Sequence, residues 1–121
     1  MDEIEIFEHT KDDYIPAVYS GSWLVAFLNH AKRFDQNHMN EIERHMLTDE
    51  VFVLLSGKAV LIIGENLKQY VMEPNKVYNV KKGVWHAICV SKDARVLIVE
   101  NADTSAENSE YKPAEISVKL D

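Results

Sequence analysis

The stretch Glu43-Arg-His45-Met-Leu-Thr-Asp-Glu50 decides the fold of this chain, together with the later Gly83-Val-Trp-His86. These segments supply two imidazoles and two carboxylates from β-like runs about forty residues apart. Groups so distant in sequence converge only if a sheet folds over on itself, which is how small β-barrels build a metal or ligand site. The sequence therefore predicts a site, and it says less about a substrate.

Composition and charge fit one compact soluble domain spanning residues 1–121. Apolar residues make up 46% and charged residues 27% of the chain, an ordinary globular balance. The formal net charge is -7 without a basic stripe, so neither nucleic acid nor a membrane surface is expected as a partner. The lone Cys89 excludes an intrachain disulfide, and the first five residues do not resemble a signal peptide. We expect a cytoplasmic protein.

Short β-like runs separated by turn residues dominate the chain from residue 22 onward. Their spacing favours an all-β antiparallel sandwich or barrel over alternating strands and helices. Gly57, Gly64 and Gly83 stand in the turns, where glycine tolerates positive φ. Helix is expected only as a minor component, over residues 29–36 and near residues 12–18. The predicted strands are residues 22–28, 40–45, 51–55, 58–63, 68–72, 76–80, 85–90 and 95–100.

Two of these strands are apolar on both faces, since Val51-Phe-Val-Leu-Leu55 and Val60-Leu-Ile-Ile63 do not alternate. One face would line the interior of a barrel whose core spans about residues 22–100. The other face needs a cover, which could be a further sheet, a terminal segment or a second subunit, and we expect a homodimer. The tail, residues 101–121, could add an edge strand through the alternation Ile116-Ser-Val118-Lys-Leu120.

Strand parity places the candidate site residues on one interior face, because side chains two apart in a strand point the same way. Glu43 and His45 are two apart in one predicted strand, and Glu50 begins the next. Cys89 lies on the face opposite His86 and is not expected to be a ligand. The residues expected to meet at one mouth of the barrel are Glu43, His45, Glu50 and His86. An apolar pocket around them is expected from Phe52, Tyr78 and Ile88.

The chain resembles the cupin superfamily, whose fold is a jelly-roll barrel called the double-stranded β-helix. The first cupin motif, G-x5-H-x-H-x3-4-E-x6-G, is matched from His45 through Glu50 to Gly57. The second motif, G-x5-P-x-G-x2-H-x3-N, is matched at Gly83 and His86. The resemblance covers roughly residues 40–100 and implies a small single-domain cupin. Its departures from the motifs are Asn37 for glycine, Glu43 for histidine, Lys81 for proline and Val90 for asparagine.

The resemblance also implies that His45, Glu50 and His86 are metal ligands, with Glu43 at the remaining ligand position. Imidazole and carboxylate donors suit a divalent ion such as Mn, Fe, Ni or Zn. Glu43 either completes the coordination or stays free to act as a catalytic base. The alternative to both is a polar cluster that satisfies its own hydrogen bonds without metal.

Two functions from different classes follow from this site. The first is a metal-dependent cupin that acts on a small polar metabolite by isomerase, lyase or oxygenase chemistry. The second is a non-catalytic cupin that binds a small molecule and carries a degenerate metal site. The fold does not choose between them, because function depends on the site that the fold carries. The sequence contains no phosphate-binding glycine loop, no Ser/His/Asp series and no zinc-finger spacing.

Overall fold

Two five-stranded antiparallel sheets pack face to face in the computed structural model, which describes residues 3–120. The strands are β1 (Tyr14–Ser20), β2 (Trp23–Asn29), β3 (Glu41–His45), β4 (Glu50–Ser56), β5 (Ala59–Ile63), β6 (Lys68–Val71), β7 (Tyr78–Val80), β8 (His86–Val90), β9 (Arg95–Asn101) and β10 (Ser109–Pro113). The first sheet has the order β1-β2-β9-β4-β7, and the second has the order β10-β3-β8-β5-β6. Short 3-10 turns form at Lys32–Phe34 and Ala106–Asn108. Among residues 3–120, no helix has the length and apolar character to cross a membrane.

The strands predicted from residue 22 to residue 100 are all present, with ends shifted by one or two residues. The helix expected near residues 12–18 is wrong, because this segment belongs to β1, which pairs with β2. Pro16 hides the strand signal in the sequence, yet it is tolerated because β1 lies at the edge of the first sheet. The helix expected over residues 29–36 is reduced to the single turn Lys32–Phe34.

The main core lies between the two sheets and follows the alternation of their strands. Val96 and Ile98 of β9 point inward and are almost fully buried, while the residues between them face out and are half-buried. Phe52 of β4 and Leu61 of β5 join the same cluster from opposite sheets. This apolar interior gives way at one mouth to buried polar side chains.

The strand β5 is buried on both faces, and the C-terminal tail covers the outer one. Val60 and Ile62 form a second cluster with Cys89 of β8 on the outer side of the second sheet. Val118 is buried in this cluster, and its neighbours two residues away on either side pack beside it. A terminal segment is therefore the cover of this strand, and the homodimer stays a prediction.

The tail also contributes an edge strand, earlier than the expected alternation at residues 116–120. β10 pairs with β3 at the border of the second sheet and places Ser109 opposite His45. Residues 114–120 form no strand, because their apolar side chains close the outer cluster instead. The pairing of β10 brings Ser109 to the mouth where the polar side chains lie.

Candidate metal centre

The candidate site lies where β3, β4 and β8 meet at one mouth of the interior. Glu43 of β3 is the cross-strand partner of His86 on β8. The backbone oxygen of His45 accepts a hydrogen bond from the Gly83 N–H at 2.8 Å. Gly83 has a φ of 78°, so it permits the turn that holds the second motif against the first. Glu50 enters from the opposite sheet as the first residue of β4.

The four residues singled out from the sequence come together around Glu50. Glu50 Oε1 lies 3.1 Å from His86 Nε2 and 3.2 Å from His45 Nε2. Glu43 Oε1 lies 3.8 Å from His45 Nε2. The side chains of His86 and Glu50 are 3% and 7% exposed, whereas that of Glu43 is 39% exposed. The site is a buried cluster of two imidazoles and one carboxylate, with a second, more accessible carboxylate at its rim.

Hydrogen bonds on the far side of both imidazoles set their orientation. His86 Nδ1 lies 3.0 Å from the carbonyl oxygen of Val84, and because a carbonyl only accepts, Nδ1 carries the proton. Nε2 of a neutral His86 then has a lone pair, and it faces Glu50. That contact requires a second proton on the ring, a proton on the Glu50 carboxyl group, or a cation that binds both groups. His45 is held similarly, with Nδ1 2.8 Å from the Ser109 hydroxyl, and this arrangement is typical of metal-binding histidines.

The surroundings of Glu43 and Glu50 shift the pKa values of these two carboxyl groups in opposite directions. Burial acts to raise the pKa of Glu50, but hydrogen bonds from His45 and His86 outweigh it and hold that pKa below its ordinary value. Burial acts to lower the pKa of His45. The hydrogen bond and the negative charge of Glu50 outweigh burial, so the pKa of His45 is raised above its ordinary value. Burial raises the pKa of Glu43 against the opposing effect of the imidazoles. Glu43 is therefore the stronger base, and Glu50 is the fixed negative charge.

A third carboxyl group, Glu100, lies in the site and was missed in the sequence. It follows Val96 and Ile98 on the inward face of β9 and is buried. The Tyr14 hydroxyl donates a hydrogen bond to Glu100 Oε2 at 3.0 Å. Burial, followed by the negative charge of Glu50, raises the pKa of Glu100 above its ordinary value. The signal that could have found it is a glutamate at an inward position of an otherwise apolar strand.

A cavity of about 300 Å³ opens beside these groups, and Phe52 and Ile88 line it. Tyr78, which was expected in the pocket, does not line it. Its ring packs against the main core, and its hydroxyl accepts a hydrogen bond from the Glu73 N–H at 2.9 Å. The reason is topological, because β7 lies at the far edge of the first sheet. The polar residues of the cavity wall include Tyr14, Arg33, Glu41, Ser109 and Tyr111.

No protein-family profile and no curated protein matches this sequence. Solved structures match its fold. A cupin-2 domain containing protein from Shewanella frigidimarina is 17% identical, over 76% of this chain and 84% of its own, with a TM-score of 0.58. The chain has the cupin fold. A variant of Streptomyces PAC13 with uridine is 12% identical, over 91% of this chain and 93% of its own, with a TM-score of 0.60.

A third structure with the cupin fold, Fe(II) HppE in complex with substrate, is 17% identical. The match covers 78% of this chain and 56% of HppE, with a TM-score of 0.60. In the present cupin fold, one oxygen of Glu43 and one nitrogen each of His45 and His86 lie within 4.8 Å of one another. Two imidazoles and a carboxylate are donors that Mn, Fe, Ni and Zn accept. These residues therefore fit a divalent metal ion without specifying which one.

Proposed function

We propose that this chain is a metal-dependent cupin that acts on a small polar metabolite, with the ion held by His45, His86 and Glu43. The observation that carries the proposal is the orientation of the His86 ring. Its Nδ1 donates to Val84, while its Nε2 is directed at a carboxylate and toward a second imidazole. A neutral imidazole held in this way presents a lone pair, and a divalent cation is the partner that makes its contact with Glu50 favourable.

The balance of buried charge supports a cation at this place. The wall of this cavity carries four carboxyl groups, against the two imidazoles of the cluster, and they belong to Glu41, Glu43, Glu50 and Glu100. Burying several carboxylates together is costly unless a positive charge neutralises them. Arg33 at the mouth does not serve this purpose, because its side chain is 63% exposed and forms an ion pair with Asp13. A bound divalent ion would supply the missing charge.

The surrounding residues have distinct tasks in this proposal. An ion held by His45, His86 and Glu43 would supply Lewis acidity, which would polarise a carbonyl or hydroxyl oxygen of the ligand or make a water molecule more acidic. Glu50 stays ionised beside the Nε2 atoms of both imidazoles, where its negative charge offsets the charge of the ion. Glu43, at the accessible rim, has one of two tasks: it completes the ligand set of the ion, or, left uncoordinated, it takes and returns a proton at its carboxylate oxygen. Tyr14 and Glu100 form a hydrogen-bonded pair on the cavity wall, where they orient hydroxyl groups of the ligand.

The size and lining of the cavity support a small polar ligand. A volume of about 300 Å³ is at the lower end of the range for small-molecule sites. The wall combines the apolar Phe52 and Ile88 with the carboxyl, hydroxyl and imidazole groups of the site. PAC13, which shares the fold, was solved with uridine, itself a small polar molecule. Isomerase, lyase and oxygenase chemistry each fit an ion with a neighbouring base.

Metal content of the purified protein tests this function. Elemental analysis, before and after incubation with Mn, Fe, Ni and Zn, should find close to one ion per chain. His86→Ala should lose most of the ion, and Glu43→Gln should weaken its binding by more than about 10-fold. His9→Gln is the matched control, because the His9 ring lies against Phe27 on the other side of the first sheet. Equal ion binding by the His86→Ala and control proteins would contradict the proposal.

A non-catalytic small-molecule-binding cupin is the second candidate, and the contacts of Glu50 favour it. One oxygen of Glu50 reaches both Nε2 atoms, so a protonated imidazole can satisfy the carboxylate without an ion. The site would then be a closed ion-pair cluster, and the cavity beside it would only bind. Absence of metal in every incubation, combined with a rise in melting temperature on adding uridine or a related polar ligand, would favour this function.

A further inference from the structure

We propose that the cavity of the metal site takes a neutral ligand with several hydroxyl groups, such as a sugar or a polyol, and discriminates against acids and amines of the same size. This inference rests on the proposed function, since it names the ligand class of the same site. Three features of the cavity support it, namely the charge of its wall, the hydrogen-bonding groups on that wall and its apolar patch.

The charge at the metal centre gives an acid little attraction. Glu43 stands where the cupin motif has a histidine, so two carboxylates, Glu43 and Glu50, adjoin the imidazoles instead of one. Two carboxylates offset the charge of a divalent ion, whereas one carboxylate would leave the centre positive. Glu41, two residues before Glu43 on the same face of β3, adds a further carboxylate to the cavity wall. An anionic ligand would therefore meet a negative potential.

The basic side chains of the cavity wall already have acidic partners. Among residues 3–120, those outside the metal cluster are Arg33 and His38. The Nη2 and Nε atoms of Arg33 lie 2.6 Å and 3.0 Å from Asp13 Oδ1. His38 Nδ1 lies 3.2 Å from Asp35 Oδ2. An acidic group on a ligand would have to displace Asp13 or Asp35 to pair with either of them.

The hydrogen-bonding groups of the wall match hydroxyl groups, which both donate and accept. Glu41 and Glu43 present carboxylate oxygens, which only accept. The hydroxyl groups of Thr104, Ser105 and Tyr111 lie on the same wall and can donate. Tyr111 is directly opposite Glu43 in the pairing of β10 with β3, so one ligand hydroxyl can reach both. A carboxylate only accepts and an ammonium group only donates, so neither satisfies both kinds of wall group, and the ion also repels an ammonium group.

The apolar side chains of the cavity suit the carbon skeleton of a sugar. Phe34, Phe52 and Ile88 line the cavity together with the polar groups. A sugar ring presents C–H groups on its faces and hydroxyl groups around its edge, so it contacts apolar and polar side chains at the same time. The volume of about 300 Å³ suits a ligand of this size.

Isothermal titration calorimetry tests the inference with protein that has been incubated with Zn and freed of excess ion. The probes are matched sets, D-glucose with D-glucuronate and D-glucosamine, D-galactose with D-galacturonate and D-galactosamine, and ribitol with D-ribonate. At least one neutral compound should bind, and about 10-fold or more tightly than the charged members of its set. The inference is overturned if no neutral compound does so.

Elemental analysis of the same samples separates this inference from the proposed function. A protein that keeps its ion but fails the comparison loses the ligand class and retains the metal site. A protein without an ion contradicts the proposed function, and the ligand class with it.

Reversing one charge of the wall tests the contribution of charge. Glu41→Lys should reduce the preference for the neutral compound over its acid by about 10-fold or more, because it replaces repulsion of the acid by attraction. Glu73→Lys is the matched control, since the Glu73 side chain is 60% exposed and does not line the cavity. An unchanged preference in Glu41→Lys, or an equal change in both variants, would overturn the inference.

Removing one hydroxyl group of the wall tests the hydrogen-bonding match. Thr104→Val should weaken binding of the neutral compound by about 5-fold. Thr48→Val is the control, because Thr48 is exposed in the turn between β3 and β4 and does not line the cavity. If far-UV circular dichroism shows that Thr104→Val unfolds the protein, Tyr111→Phe replaces it. Affinity equal to that of the control would contradict recognition of the ligand through its hydroxyl groups.

Discussion

Replacing Gly57 by alanine should destabilise the protein much more than the same replacement at Gly21. Gly57 has a φ of 77°, and an added Cβ would lie 2.5 Å from Ala94 Cα and 2.8 Å from Ala94 N. These are backbone atoms, so they cannot rotate away. Gly21 has a φ of 58°, but an added Cβ there would meet nothing within 4 Å. The two glycines share the need for positive φ and differ in the close approach.

The size of the effect follows from these two contributions. Holding a residue with a Cβ in the left-handed region costs about 1–2 kcal/mol at either position. Forcing a side chain into occupied space adds about 1–3 kcal/mol, and this applies only at Gly57. Gly57→Ala should therefore cost about 2–5 kcal/mol and Gly21→Ala about 1–2 kcal/mol. A loss of 1 kcal/mol lowers the melting temperature of a domain of this size by about 4 °C. The melting temperature should therefore fall by roughly 8–20 °C in Gly57→Ala and by roughly 4–8 °C in Gly21→Ala.

Urea unfolding of the wild type and the two variants measures the difference directly. The slopes of the three transitions should agree, so that the midpoints report stability alone. Equal destabilisation by the two variants would refute the argument, because it would mean that φ and not the contact with Ala94 makes glycine necessary at position 57. The result also bears on the site, since Gly57 closes the turn after β4, the strand that Glu50 begins.

Three further predictions concern other parts of the molecule. Tyr14→Phe removes the hydroxyl that donates to Glu100 and should lower the free energy of unfolding by about 1–2 kcal/mol in urea titrations. Hydrogen bonds from His30 and nearby groups hold the pKa of Asp35 at about 2, below the value of 3.8 expected when unfolded. Its stabilising effect is therefore complete above about pH 4 and is lost as the pH falls toward 2, and Asp35→Asn should flatten this part of the acid-unfolding curve. Val118→Asp should open the outer cluster and let Ellman's reagent reach Cys89, which is fully buried, while an unreactive thiol in the folded variant would contradict the role of the tail.

The positions of the motif residues could be predicted from the sequence, because their spacing along a strand determines which face of the sheet each side chain points to. Glu43 and His45 are two apart and share a face, and Glu50 opens the following strand, so their convergence required only that the two strands face each other. The apolar runs predicted the strands of the core for the same local reason. The assignment of His45, Glu50, His86 and Glu43 as metal ligands stays a prediction until the metal analysis is done.

Other features escaped the sequence because they depend on distant neighbours. The residues next to Tyr14 in the sequence do not indicate that its hydroxyl group reaches Glu100. Tyr14 lies on β1 and Glu100 on β9, and the two meet only because of the order of strands in the first sheet. Tyr78 was expected in the apolar lining of the pocket, but β7 lies at the edge of the first sheet away from the cavity. Pro16 concealed β1, which is an edge strand and tolerates proline.

By itself, the sequence of this protein determined its β-strands, its turns and the facing of its site residues, because each depends on the two-residue period of an extended chain and on local turn chemistry. Only the tertiary structure decided which strands are neighbours, and with them the third carboxyl group, the shape of the cavity and the cover of β5. These features depend on which hydrogen-bonded edges and apolar faces pair across long stretches of chain. Such pairings follow from the packing of the whole domain.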